Sequence, residues 1–139
     1  LWDPGTGAPV GDPLTGHTDR VSGCAFGTRP DGTLLLATTS DDRTVRLWDP
    51  GTGAPVGDPL TGHTGWVTGC AFGTRRDGTL LLATTSDDQT VRLWDPATGR
   101  AVGPFPSAPS NPMCLAWHCA IAVMGCSDGV LALDLMTLG

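Results

Sequence analysis

The chain alternates short apolar runs with clusters of Gly, Pro, Asp and Ser, and the alternation has a fixed order. Arg20 to Phe26 is a short run that leads into a loop holding Asp31-Gly32. Asp-Gly between apolar runs is a strong hairpin signal, because both residues tolerate positive φ. Leu34-Leu35-Leu36-Ala37-Thr38-Thr39 follows, apolar on both alternating faces. That pattern predicts a strand covered on two sides. Ser40-Asp41-Asp42 predicts a turn closed by bonds from side chain to backbone. Thr44 to Asp49 is β-branched and aromatic and predicts another strand. After Pro50-Gly51-Thr52-Gly53, the Pro-containing stretch Ala54 to Leu60 reads as an edge strand, since Pro donates nothing to a ladder.

This order recurs. Leu1-Trp2-Asp3-Pro4 returns as Leu47-Trp48-Asp49-Pro50 and as Leu93-Trp94-Asp95-Pro96, a step of 46 residues each time. The first two copies differ at five pairs only: Asp19/Gly65, Arg20/Trp66, Ser22/Thr68, Pro30/Arg76 and Arg43/Gln89, so 41 of 46 positions match. The third copy keeps its opening, Leu93 to Gly103, and then drifts. With 139 residues the chain holds three such units and little else. A period of this size signals an array or a propeller. Four strands per period, the last an edge, form one propeller blade.

Composition narrows the picture. There is no Lys, Glu or Tyr, and Gly and Pro together make 32 residues, so few long straight-chain helix formers remain. The net charge of −6 argues against a polyanion-binding surface and hence against a nucleic-acid partner. No apolar run reaches the roughly 18 residues that span a bilayer, and no secretory signal is visible. Five Cys, an odd number, give no disulfide framework and fit a reducing, cytoplasmic compartment. Cys24 and Cys70 occupy equivalent positions and read as small buried apolar residues. The chain opens at Leu1 inside a motif and reads as a fragment of something longer. The scarcity of residues with AT-rich codons points to a GC-rich, bacterial source.

Gly16-His17 recurs as Gly62-His63, and each is followed by Trp-Asp, at Trp48-Asp49 and Trp94-Asp95. Between them lies Ser40-Asp41-Asp42-Arg43-Thr44-Val45-Arg46-Leu47-Trp48-Asp49. The unit resembles the WD-repeat β-propeller family, strongly over residues 1 to about 103 and loosely over 112 to 139. The resemblance implies an all-β fold of four-stranded antiparallel sheets, three repeats forming part of a larger propeller. It places the end of a preceding repeat at 1–16, blades at 17–62 and 63–106, and a degenerate terminal blade at 107–139. It also implies a buried hydrogen-bond chain in each blade: His17, Thr38, Asp42 and Trp48, then His63, Thr84, Asp88 and Trp94. The third unit lacks this tetrad; alignment puts Asp134 at the Trp position. Its segment Gly125 to Asp134 also resembles the blade repeat of quinoprotein-like propellers.

Several residues invite a sharper chemistry. His17 with Asp42 and His63 with Asp88, near Thr38 and Thr84, imitate catalytic triads, but the duplicated tetrad accounts for all of them and no catalytic residue is expected. Cys114, His118, Cys119 and Cys126 have no standard zinc spacing and read as buried thiols rather than a metal site. Asp41-Asp42 and Asp87-Asp88 bring too few oxygens for calcium and read as turns. Gly5-Thr6-Gly7 lacks the Lys of a phosphate loop. No cofactor is expected.

The differing positions carry what functional information there is. In the family, Asp19/Gly65, Arg20/Trp66 and Arg43/Gln89 fall on one rim and Pro30/Arg76 on the opposite face. The candidate partner-binding rim is therefore Asp19, Arg20, Arg43, Trp66 and Gln89, with Trp and Arg the residue types that dominate interface hot spots. Loop drift accounts for the same differences. The resemblance implies a non-catalytic scaffold for other proteins. The alternatives are a ligand-binding or enzyme-like propeller of the quinoprotein type, or a sensor module of a larger bacterial signalling enzyme. Three blades do not close a ring. A homodimer could close a ring through strand exchange; because Leu1 begins inside a strand motif, covalent continuation into further blades is the expected arrangement.

Overall fold

The computed structural model describes residues 1–103, 107–108, 110–118 and 121–134. Among the described residues ten strands run in chain order: β1 Val21–Thr28, β2 Leu34–Ser40, β3 Val45–Trp48, β4 Val67–Thr74, β5 Leu80–Ser86, β6 Val91–Asp95, β7 Arg100–Ala101, β8 Pro112–His118, β9 Ile121–Cys126 and β10 Gly129–Asp134. They form three antiparallel sheets, β1-β2-β3, β4-β5-β6-β7 and β8-β9-β10. No helix among the described residues is long and apolar enough to cross a membrane.

Local chemistry sets the hairpins. Asp31 Oδ1 accepts from the Thr33 amide at 2.9 Å and from its hydroxyl at 2.6 Å. Gly32 turns there with φ of 85° and Gly78 repeats it with 86°. The stretch after β3 follows its edge as Pro and Gly content dictates. It pairs only through bridges, Trp48 with Pro55 and Val45 with Leu60, because the prolines interrupt a continuous ladder.

Each sheet lies against the next, with β1 beside β4 and β4 beside β8. The first seam buries Leu35, Ala37, Val45 and Leu47 from one side and Val67, Cys70, Leu82 and Trp94 from the other. The second gathers Val91, Ala108 and Met124, flanked by Leu115 and Cys126. Glycines make the close approach. A Cβ on Gly27 would meet the Phe72 ring at 2.5 Å, and one on Gly73 would meet Trp117 at 2.1 Å. Hydroxyls bridge the same seams: Ser22 Oγ donates to the Val67 carbonyl, and Thr68 Oγ1 to that of Pro112 at 2.6 Å. The Ser22/Thr68 difference therefore keeps its donor.

The two outer faces of the stack are bare. Val21 is 52% exposed where its twin Val67 is 0%, and Leu34 is 51% exposed where Leu80 is 7%. Cys24 is exposed and Cys70 buried, which corrects the expectation that both are core residues. The sequences agree there, so the difference is the neighbouring sheet that Cys70 has and Cys24 lacks. Cys114 is likewise exposed, on the face of β9 that carries Gly125. Cys126 belongs to the opposite, seam-facing side and is half-buried. Cys114 and Cys126 thus point apart, while Cys119 and the side chain of His118 lie outside the described residues.

The third sheet corrects one further expectation. Trp117 stands opposite Ala122 as Phe26 stands opposite Leu36. Leu133 stands opposite Ala122 and Trp48 opposite Leu36. Leu133, not Asp134, therefore holds the Trp position. The turn between β9 and β10 is one residue shorter than its counterpart, which moves the register by one.

Candidate functional site

Two buried polar networks sit at the same place in the first two sheets. Trp48 Nε1–H donates to Thr38 Oγ1 at 2.8 Å, Thr38 Oγ1 lies 2.8 Å from His17 Nε2, and His17 Nδ1 lies 2.7 Å from Asp42 Oδ2. The second network reads Trp94 to Thr84 at 2.9 Å, Thr84 to His63 at 2.8 Å and His63 to Asp88 at 2.8 Å. An indole only donates and a carboxylate only accepts. With a neutral ring the hydroxyl gives its proton to Nε2 and Nδ1–H points at the carboxylate, so the chain has one direction.

Each carboxylate collects more donors than the tetrad alone supplies. Asp42 Oδ1 accepts from the Thr44 amide at 2.9 Å and its hydroxyl at 2.6 Å, and Oδ2 accepts from the Thr18 amide at 3.1 Å. Thr90 and Thr64 do the same for Asp88. Burial opposes ionisation of both acids, yet these bonds outweigh it. The hydroxyl of Thr44, His17 and the Thr44 and Thr18 amides hold Asp42 far below the usual carboxylate range. Their counterparts hold Asp88 at about 2. Burial lowers the pKa of His63 against the pull of Asp88, which favours the neutral ring. The glycine of Gly-His has its own cause. Gly16 and Gly62 take φ of 152° and 145°, and a Cβ there would meet the Arg46 or Arg92 guanidinium at 2.8 Å.

These groups are committed to structure. Thr38 and Thr84 are buried and each is held between an indole and an imidazole, so neither hydroxyl faces a substrate. Among the described residues no group of three or more His, Cys or acidic side chains is placed to hold a metal ion.

The rim is different. The entry to each first strand is tied to the turn after the second: the Asp41 amide donates to the Arg20 carbonyl at 2.9 Å and the Asp87 amide to that of Trp66 at 2.9 Å. A groove of about 470 Å³ crosses this rim, with Arg20, Asp41, Trp66, Asp87, Asn111 and Met113 among its walls. Arg20 and Trp66 thus meet in one groove. Asp19, Arg43 and Gln89 are exposed nearby but are not part of its walls. Arg43 and Gln89 sit at the tips of the turns with φ of 69° and 63°. A Cβ on Gly65 would meet the Asp88 amide nitrogen at 2.7 Å on the present backbone, whereas its twin Asp19 carries one. Pro30 lines a smaller hollow of about 370 Å³ with Asp77 and Pro96. Asp41 and Asp87 line the groove as well, although their sequence context marks them only as turn residues.

Stacked antiparallel sheets, each with a buried His-Asp-Thr-Trp chain where the tetrad is complete, are blades of a β-propeller. The family model "WD domain, G-beta repeat" matches residues 8–49 and 54–95, more than half of the chain, and the chain belongs to that family. No curated protein matches it. Repeats of this family generally act as protein-interaction scaffolds and are typically non-catalytic.

Proposed function

We propose that the chain is a non-catalytic scaffold that binds another protein through the rim groove. We read residues 17–62 and 63–106 as two blades, 107–139 as a degenerate terminal blade and 1–16 as the end of a preceding repeat. One observation carries the functional reading. In a repeat with 41 of 46 positions unchanged, the pair that differs most in chemistry, Arg20 and Trp66, faces one groove. Trp66 is 53% exposed there, so its indole is not part of a core. Exposed Trp and Arg on a rigid scaffold are the usual anchors of a protein interface. The described cysteines are free thiols, which supports a reducing compartment such as the cytoplasm.

Selection from a displayed library of random peptides tests this. The expected result is an enriched motif for the parent chain that is lost in Trp66→Ala, with the melting temperature of the variant unchanged. Absence of any enriched motif, or a motif indifferent to Trp66→Ala, overturns the reading.

A further inference from the structure

We propose that the rim groove is a receptor for an arginine side chain, presented by a protein partner beside an apolar residue. This rests on the scaffold reading above and names the chemistry of the partner.

The two repeats supply an internal comparison. In the first, Arg20 Nε donates to Asp41 Oδ2 at 3.0 Å, so the carboxylate at the rim has its cation. In the second, Asp87 occupies the same turn, held by the same backbone bond to residue 66. Residue 66 is Trp, not Arg, and Asp87 makes no ion pair and no side-chain hydrogen bond among the described residues. The substitution removes the counter-ion and puts an exposed indole in its place. An unpaired carboxylate next to an open aromatic face is a complement for a guanidinium, which stacks on the ring and donates to the acid at once. The incoming arginine takes at Asp87 the part that Arg20 plays at Asp41.

The rest of the groove agrees. Arg20 and Asp41 neutralise each other, so Asp87 leaves the groove with one negative charge. Met113 is 64% exposed and Val21 52% exposed, and both line the groove, which offers an apolar seat beside the acid. The chain's net charge of −6 favours cationic segments during encounter.

The test titrates the chain, by calorimetry, with a blocked Ala-Arg-Ala-Leu peptide and with its citrulline counterpart, which keeps the shape and loses the charge. The arginine peptide is expected to bind at least tenfold tighter than the citrulline peptide, and added salt to narrow the gap. Asp87→Asn is expected to lose the same factor and to stop distinguishing the two peptides. Trp66→Arg is expected to abolish arginine binding, because the new guanidinium pairs with Asp87 in cis, as happens in the first repeat. Since the first repeat already folds with Arg there, an unchanged melt accompanies that variant. Equal binding of the two peptides, or full discrimination by Asp87→Asn, overturns the proposal. A library motif that depends on Trp66 but contains no arginine refutes the arginine assignment and leaves the scaffold standing. No binding of any peptide refutes both.

Discussion

Asp88 shows how much one side chain holds in this protein. It accepts from Thr90 twice, from Thr64 and from His63, and its removal leaves the Thr90 and His63 donors unpaired in a part-buried site. Asp88→Ala is expected to destabilise the fold by about 3 kcal/mol, since bonds to a charged group contribute about 1.5–3 and its partners stay unpaired. A denaturant melt checks it, and an unchanged midpoint refutes the role. Acid acts on the same network. His63 has a pKa below its unfolded value, so its contribution is present above about 6.5 and fades as pH falls through the folded value. Asp88, at about 2, and Asp42, lower still, contribute above about 4 and lose that contribution as pH drops further. All three shifts have the same sign: the melting temperature is expected to fall from about pH 6 downward and faster below about pH 4. The four tetrad positions were expected because Gly-His, Ser-Asp-Asp and Trp-Asp carry the family resemblance, and the resemblance implies the bonds between them. Thr44 and Thr90 were not, because in near-identical repeats every residue recurs and recurrence singles out none.

At the scale of strands and sheets, the hairpins were legible from Asp-Gly and the buried second strand from its unbroken apolar run. The seams were not. Gly27 and Gly73 matter because an aromatic ring of the next sheet fills the space of their missing side chains, and nothing within one strand announces its neighbour. Gly73→Ala is expected to cost about 1–3 kcal/mol, the usual penalty for overpacking a tight contact. Trp117→Ala is expected to relieve that penalty, so a double-mutant cycle on thermal melts reads the coupling. Independent, additive effects contradict the nesting. Leu82→Ala, in the first seam and fully buried, is expected to cost about 2–5 kcal/mol by the same assay.

Over the whole molecule, identical sequence meets different surroundings. Burial, then the neighbouring Cys24, pushes the Cys70 thiol up to about 12, while Cys24 itself is exposed. Iodoacetamide is therefore expected to label Cys24 and Cys114 in the native chain and Cys70 only on unfolding; mass spectrometry of digests assigns the sites. Periodicity could not separate these cysteines, because burial here is decided by the presence of an adjoining sheet and not by the strand's own pattern. The glycine seam has a consequence of another kind. Both halves of the fit, the aromatic Phe26 or Phe72 and the glycine Gly27 or Gly73 that receives its successor, are encoded within one 46-residue unit. Copying that stretch of gene copies plug and socket together, so a duplicated unit inserted between the first two arrives already matched to both neighbours. The third unit has His118 where the register sets Gly27 and Cys114 where it sets Gly23. It does not carry the socket, and inheritance can lengthen this array without new fitting only on one side of it.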